Sequence, residues 1–374
     1  MSDVVLFSLL ETPSGKYIGK ATLNKPKALN ALGQDMIDLL LPTLREWEKD
    51  DNIVSVFLDS EGDKAFCAGG DIVAMYKAMQ AAPGDMPSSL QTFFTDEYTL
   101  DYLIHTFSKP IVVWGNGIVM GGGLGLMSGA SHRIVTESSR IAMPEITIGL
   151  YPDVGGSWFL NKMPAGCGLF LGLTGASINA TDALFIDLAD FYIPHEQKDA
   201  FLSRLIDLKW GSSDSLNHEK VSDLCRHMHS DFKVGLPKGN VKANATNIEA
   251  VTQGDNVTQV VESILSMDVT DDKWLAKAQK GLAAGSPITM HLVFEQLARG
   301  KNKTLAECFK MELGMSCRCG ELGEFQEGVR ALLIDKDGEP NWKYKNVQEV
   351  ETSLVESFFT PRWSDQTHPL HHIH

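Results

Sequence analysis

One stretch of the chain, residues 109–156, gathers residue types that can stabilise and move charge: KPIVVWGNGIVMGGGLGLMSGASHRIVTESSRIAMPEITIGLYPDVGG. Gly121-Gly122-Gly123 opens an apolar, helix-like segment that runs to Ala130. Glycine lets another atom approach the backbone closely. An N–H at the start of a helix also sits at the positive end of the helix dipole. Such a turn can hold negative charge as it develops on an oxygen. Further on, Met143-Pro144-Glu145 and Pro152-Asp153 supply two carboxylates in a segment otherwise poor in charge. Carboxylates so placed can act as general acid or base, or as nucleophile. Taken alone, a Glu after Pro also reads as a helix-start residue, and Pro-Asp-Val-Gly-Gly as an ordinary turn.

The elements that must position these groups alternate between strand and helix. Val4–Leu9, Tyr17–Leu23, Ile53–Leu58 and Ile111–Trp114 have the β-branched, apolar character of strands. Met36–Lys49 carries Met36, Ile37, Leu40, Leu41, Leu44 and Trp47 at helical spacing, and Ile72–Met79 and Phe93–Phe107 also read as helices. Phe66-Cys67-Ala68-Gly69-Gly70-Asp71 is a tight glycine turn between them. Alternation of this kind predicts α/β crossover units. Residues 196–285 are more polar and read as helices and loops, and Ser286-Pro287 is a good helix start, with Pro at the first helical position. The predicted division is a core over 1–205 and a mainly helical region over 206–374. The histidine-rich ending, THPLHHIH, is expected to fray.

Composition narrows the function classes. The 374 residues are 43% hydrophobic and 22% charged, as in ordinary globular chains. A formal net charge of −15 argues against non-specific nucleic-acid binding. No apolar run approaches the ~18 residues that a membrane span needs. The N-terminus has no basic region before its apolar residues and no arginine before Arg45, which argues against secretory and transit signals. Six scattered cysteines without a CxxC pair read as reduced thiols, so a cytoplasmic protein is expected. The chain has no GxSxG elbow, no GxxxxGK[ST] loop, no GxGxxG fingerprint and no HExxH. No metal and no cofactor are therefore expected.

The segments LNKPKALNAL, KAFCAGGDI and GIVMGGGLGL resemble those of the crotonase superfamily, the enoyl-CoA hydratase/isomerase family. FFTDEYTL, AMPEITIGLYPDVGGSWFL, SPITMHLVFEQL and EFQEGVRALLIDKD resemble its thioester-hydrolase branch, so the likeness extends over about residues 17 to 342. The resemblance implies an α/β fold, a crotonase-like spiral of ββα units with a helical C-terminal region. It implies an acyl-CoA substrate whose carbonyl oxygen lies between the backbone N–H groups of Ala68 and Gly122. CoA would enter as part of the substrate. Gly69, Gly70 and Asp71 would line the bound ester, and Glu97 would bind the substrate hydroxyl, although a polar helix face with Asp96 and Asp101 also reads as merely solvated.

Oxyanion stabilisation serves an enolate or a tetrahedral intermediate equally. The choice of reaction lies in the carboxylates. Hydratases of the family use two glutamates; this chain keeps one, Glu145, and has Gly125 where the other would be. It has Asp153 where the hydratases have glycine. The pair Glu145 and Asp153 fits hydrolysis, with 3-hydroxyisobutyryl-CoA of valine breakdown as the implied substrate, Glu145 as nucleophile or general base and Asp153 assisting. An enoyl-CoA hydratase or isomerase, and a non-catalytic acyl-CoA-binding protein, are the alternatives. A homo-oligomer is left open, since trimers are common in the superfamily.

Overall fold

The computed structural model describes residues 3–374. They divide into two compact units. One comprises the chain up to Gly70 with Leu100–Ile141 and Ile178–Gly239; the other comprises Asp71–Thr99, Ala142–Ser177 and Asn240–His374.

The first unit is built on a six-stranded sheet. Its strands are β1 (Val5–Glu11), β2 (Tyr17–Leu23), β3 (Ile53–Ser60), β5 (Ile111–Gly115), β7 (His132–Val135) and β9 (Phe191–Tyr192), in that spatial order. β1 and β2 form an antiparallel hairpin, and every later pairing is parallel. β3 and β5 are buried along their whole lengths, as parallel strands covered on both faces must be. Helix α1 (Gln34–Lys49) buries Met36, Ile37, Leu40, Leu44 and Trp47 of the apolar side that its spacing predicts, while Leu41, at the edge of that side, is half-buried. Ile18, Phe57, Val112, Trp114, Ile134 and Phe201 pack in one core with Val221 and Met228 of helix Asp214–Phe232. Three shorter strands, β4 (Ala65–Cys67), β6 (Ile118–Met120) and β8 (Arg140–Ala142), form a second sheet in the order β4-β6-β8.

The second unit is mainly helical. It contains α2 (Ile72–Ala81), the first part of α3 (Ser88–Thr106) and the long helices Pro287–Gly300 and Leu305–Leu322. Ser286 caps the first of these long helices by accepting from the Thr289 N–H, with Pro287 at the first helical position as expected. Thr304 and Glu307 form a reciprocal capping box on the second. Helix Cys167–Thr174 lies close against Pro287–Gly300: a Cβ added at Gly172 would meet Val293 at 2.9 Å. The C-terminal end is docked rather than frayed. Leu370 and Ile373 are buried, and His372 Nε2 lies 3.3 Å from Thr99 Oγ1. Two apolar residues among the histidines supply enough burial to hold it. No helix among the described residues is long and apolar enough to cross a membrane.

Candidate active site

The two glycine turns of the first unit lie side by side for a topological reason. β4 and β6 pair in parallel, so the turns that leave their C-terminal ends emerge together. After β4 comes Ala68-Gly69-Gly70. Gly69 has φ +109°, which L side chains rarely adopt, and its missing Cβ would stand 3.5 Å from the Met120 carbonyl. After β6 comes Gly121, with φ 47° and ψ −125°, then helix α4 (Gly122–Ser128). A Cβ on Gly123 would meet the Cys67 carbonyl oxygen at 2.2 Å, so only glycine lets the helix start against β4.

Gly122 is the first residue of α4, and the helix closes on itself through Leu124 and Gly125, whose N–H groups donate to the Gly121 carbonyl. The N–H at Gly122 belongs to the orphan donors of a helix start. Ala68 differs from the expectation in one respect. Its N–H donates to the Leu29 carbonyl at 3.1 Å. Leu29 and Asn30 both have positive φ, 53° and 54°. Asn30 is buried and holds this turn: its Oδ1 accepts from the Lys25 N–H, and its Nδ2 donates to the Glu61 and Ala65 carbonyls. An incoming oxygen would share the Ala68 hydrogen with Leu29 or displace it. Gly125 lies buried within α4 and offers no proton-transferring side chain.

Both carboxylates lie in the second unit, and both are 4% exposed. Glu145 follows Pro144 at the start of the 3-10 turn Glu145–Ile148. That turn is tightly held. The Ser286 N–H donates to the Ile146 carbonyl, and a Cβ on Gly149 would collide with the Glu324 carbonyl. Glu145 Oε2 is buried without a hydrogen-bond partner. Burial, and then the charge of Asp153, push the Glu145 carboxyl well above its ordinary range.

Asp153 sits where the chain turns sharply into helix Gly156–Phe159, with φ 50° at Val154 and 88° at Gly155. The Glu312 carboxyl clamps this turn, accepting from the Gly155 and Ser157 N–H groups at 2.8 Å each. Gln296 Nε2 donates to the Pro152 carbonyl at 2.9 Å. The Asp153 carboxyl receives the Tyr98 hydroxyl on Oδ2 at 2.7 Å. Burial raises Asp153 to about 6, opposed by the Tyr98 donor.

Glu97 is 2% exposed, so it is not on a solvated face; Asp101 is likewise buried. The apolar helix α3 is buried on more than one side, which a polar stripe in the sequence does not disclose. Asp71 caps α2, its Oδ1 accepting from the Ala74 N–H at 3.1 Å. Tyr98, Tyr151, Glu312 and Ser316 were not singled out by sequence reasoning. Tyr98 and Tyr151 stand beside Glu97 and Asp153 within quoted motifs, but nothing local marks their hydroxyls, and Glu312 and Ser316, on helix Leu305–Leu322, come some 160 residues after Tyr151 in the chain.

A family model for enoyl-CoA hydratase/isomerase matches residues 18–359. The chain is 38% identical to the mitochondrial 3-hydroxyisobutyryl-CoA hydrolase of Danio rerio, over 92% of this chain and 88% of that one. It is 34% identical to the Homo sapiens protein of the same name, over 91% and 86%. Among solved structures, an enoyl-CoA hydratase from Rhodobacter sphaeroides superposes with a TM-score of 0.82 at 32% identity, covering 96% of this chain and 98% of that one. A carnitinyl-CoA dehydratase from Mycobacterium thermoresistibile gives 0.83 at 30%, covering 96% and 97%. The chain belongs to the enoyl-CoA hydratase/isomerase family and has the crotonase-like fold with a helical C-terminal region. The Danio rerio and Homo sapiens hydrolases are mitochondrial by name, which overturns the expectation of a cytoplasmic protein. All six cysteines are buried thiols outside any disulfide, and buried thiols do not distinguish one reducing compartment from another.

Proposed function

We propose that this protein hydrolyses acyl-CoA thioesters, with 3-hydroxyisobutyryl-CoA as its substrate and 3-hydroxyisobutyrate and CoA as products, as in valine breakdown. The observation that carries this reading is the buried, electrostatically coupled pair Glu145 and Asp153 in a chain with Gly125 at the second hydratase position. Hydrolysis requires attack on the thioester carbon, an oxyanion intermediate and departure of a thiolate.

Glu145 attacks or activates water. Its unpartnered, poorly solvated Oε2 makes a reactive base or nucleophile when ionised. The Gly122 N–H receives the oxyanion, with the Ala68 N–H as the second donor once Leu29 yields it. Two coupled buried carboxyls share a proton over a range of pH, so one can be ionised while the other is neutral. At rest the Asp153 charge and the Tyr98 donor favour the proton on Glu145; for attack that proton passes to Asp153, which then gives it to the departing sulfur. Glu97 binds the substrate hydroxyl, and Gly69, Gly70 and Asp71 line the ester. CoA comes with the substrate, so the reaction needs no cofactor.

A panel of acyl-CoA esters assayed for thiol release tests this reading. Release of CoA from 3-hydroxyisobutyryl-CoA is expected, with crotonyl-CoA hydrated more slowly than thioester is cleaved. The two solved neighbours named above carry hydratase and dehydratase titles, which keeps hydration as the competing reading. Crotonyl-CoA hydration faster than thiol release would select it, and binding without turnover would leave only an acyl-CoA-binding protein.

A further inference from the structure

Asp153 stands at one end of a chain of hydroxyl groups. Tyr98 Oη lies 2.7 Å from Asp153 Oδ2 and 2.7 Å from Ser316 Oγ; Ser316 Oγ lies 2.8 Å from Tyr151 Oη, and Tyr151 Oη lies 2.6 Å from the Glu312 carbonyl oxygen. All four side chains are buried. The Tyr98 ring is held between Phe94 and Phe309, with ring centroids 5.8 and 5.7 Å away. The Tyr98 hydroxyl is therefore fixed by its ring as well as by its bonds.

We infer that Tyr98 and Ser316 are positioning residues for Asp153, holding its carboxyl group still while its proton comes and goes. The inference rests on the role given to Asp153 above. Hydrogen bookkeeping supports it. With Asp153 ionised, three hydroxyl hydrogens serve the four contacts, and Tyr98 donates to the carboxylate. With Asp153 protonated there are four hydrogens for four contacts. Asp153 then donates to Tyr98, Tyr98 to Ser316, Ser316 to Tyr151, and Tyr151 to the Glu312 carbonyl. Only hydrogens turn between these arrangements, and no heavy atom moves. A carboxyl that must be neutral when sulfur departs and ionised afterwards can change state without losing its aim.

The other titratable groups that sense the Asp153 charge are Glu145, Tyr151, Glu312 and Cys319, with Glu97 next to Tyr98. None of these is a cation. The donated hydroxyl is the larger of two features that favour the ionised form against burial, the other being a backbone hydrogen bond at Asp153 itself. The Tyr98→Phe variant removes a charge-assisted donor, so the carboxylate is destabilised more than the neutral acid and the proton is held to higher pH.

Tyr98→Phe should lower kcat about tenfold or more, through loss of aim, and leave KM for the acyl-CoA within about threefold. The limb of the kcat–pH profile governed by the carboxyl pair should move to higher pH by about half a unit or more. Ser316→Ala, which keeps the Tyr98 ring and its bond to Asp153, should give a smaller shift of the same sign and serves if Tyr98→Phe fails to fold. An unmoved pH limb in the folded variants, or a change confined to KM, overturns the inference while Glu145→Gln stays inactive and the hydrolase reading stands. Wild-type hydrolysis by Glu145→Gln would instead remove the reading on which the inference rests.

Discussion

Tyr98 Oη donates to Asp153 Oδ2 at 2.7 Å, joining two residues 55 apart in the sequence and tying the middle of α3 to the sharp turn before helix Gly156–Phe159 within one compact unit. That bond separates what Asp153 does for the fold from what it does for the reaction. An Asp153→Asn substitution keeps the size of the side chain and an oxygen that can accept from Tyr98. It removes the titrating group. Folding stability should stay within about 1 kcal/mol of the parent, and kcat should fall by about 10²–10⁴. Thermal melts beside steady-state thiol release decide the matter; turnover within about threefold of the parent would remove Asp153 from proton transfer.

Gly122 supplies the oxyanion donor in the proposed reaction, at the first position of a buried helix. A side chain there would displace the backbone or fill the space that the thioester oxygen needs. Losing one such donor costs on the order of 10²–10³ in rate. Gly122→Val should show that loss in kcat, with a melting temperature that still reports a folded protein. Near-normal turnover in a folded variant would exclude Gly122 as the donor.

Glu145 and Asp153 drew attention as carboxylates in a charge-poor segment, but only the resemblance of the motifs around them proposed a catalytic role; Gly121 to Gly123 drew attention because three glycines in a row cost too much entropy to be idle. The strand at Tyr17–Leu23 has the bounds its apolar run predicts, and the helix ending at Lys49 buries the predicted apolar side except for Leu41, which is half-buried. What holds Asp153 was not legible. Ser316 lies 218 residues from Tyr98, and Glu312 lies 157 residues from Gly155; no spacing rule reaches so far. The Ala68 N–H is engaged by Leu29 because two consecutive residues, Leu29 and Asn30, take positive φ, which a Leu does not advertise. For Glu97 the residues alone left a solvated stripe open beside the substrate contact that the resemblance implies, because periodicity reports which residues share a helix side, not whether that side meets water; Glu97 is buried.

Glu312 gives the fold a pH dependence. Burial pushes its carboxyl up to about 8, against the N–H donors of Gly155 and Ser157. An unfolded glutamate titrates near ~4.3. Between these values the folded state binds more protons than the unfolded state, so stability is highest at the acid end and falls as pH rises towards 8. Asp153, raised to about 6, adds the same sign over a narrower window. Glu312→Gln removes the titration and puts an amide nitrogen where one N–H needs an acceptor. Its melting temperature should lie below the parent's at pH 5, and the difference should narrow towards pH 8. A constant difference across that range would show Glu312 ionised throughout.

Glu145 has an unpartnered oxygen in a poorly solvated position, which suits either direct attack on the thioester or activation of water. The two routes share a requirement for a carboxylate and differ in where the oxygen of water goes. Glu145→Gln keeps the shape and loses the basicity, so thiol release should fall by at least about 10² while the CoA ester still binds. Attack by Glu145 forms a bond from its Oε to the acyl carbon and expels the thiolate, leaving a mixed anhydride that water must open. Under single-turnover conditions in H₂¹⁸O, opening at the enzyme carbonyl places the label in Glu145, where mass spectrometry of the peptide containing it finds the added oxygen. Water attacking the thioester directly places the label in the product acid and leaves the peptide unlabelled. Opening the anhydride at the acyl carbon also labels the product, so label in the peptide establishes the covalent route, and its absence is resolved by trapping the anhydride with hydroxylamine. Parent-like thiol release by Glu145→Gln would rule out both routes, whichever way the label goes.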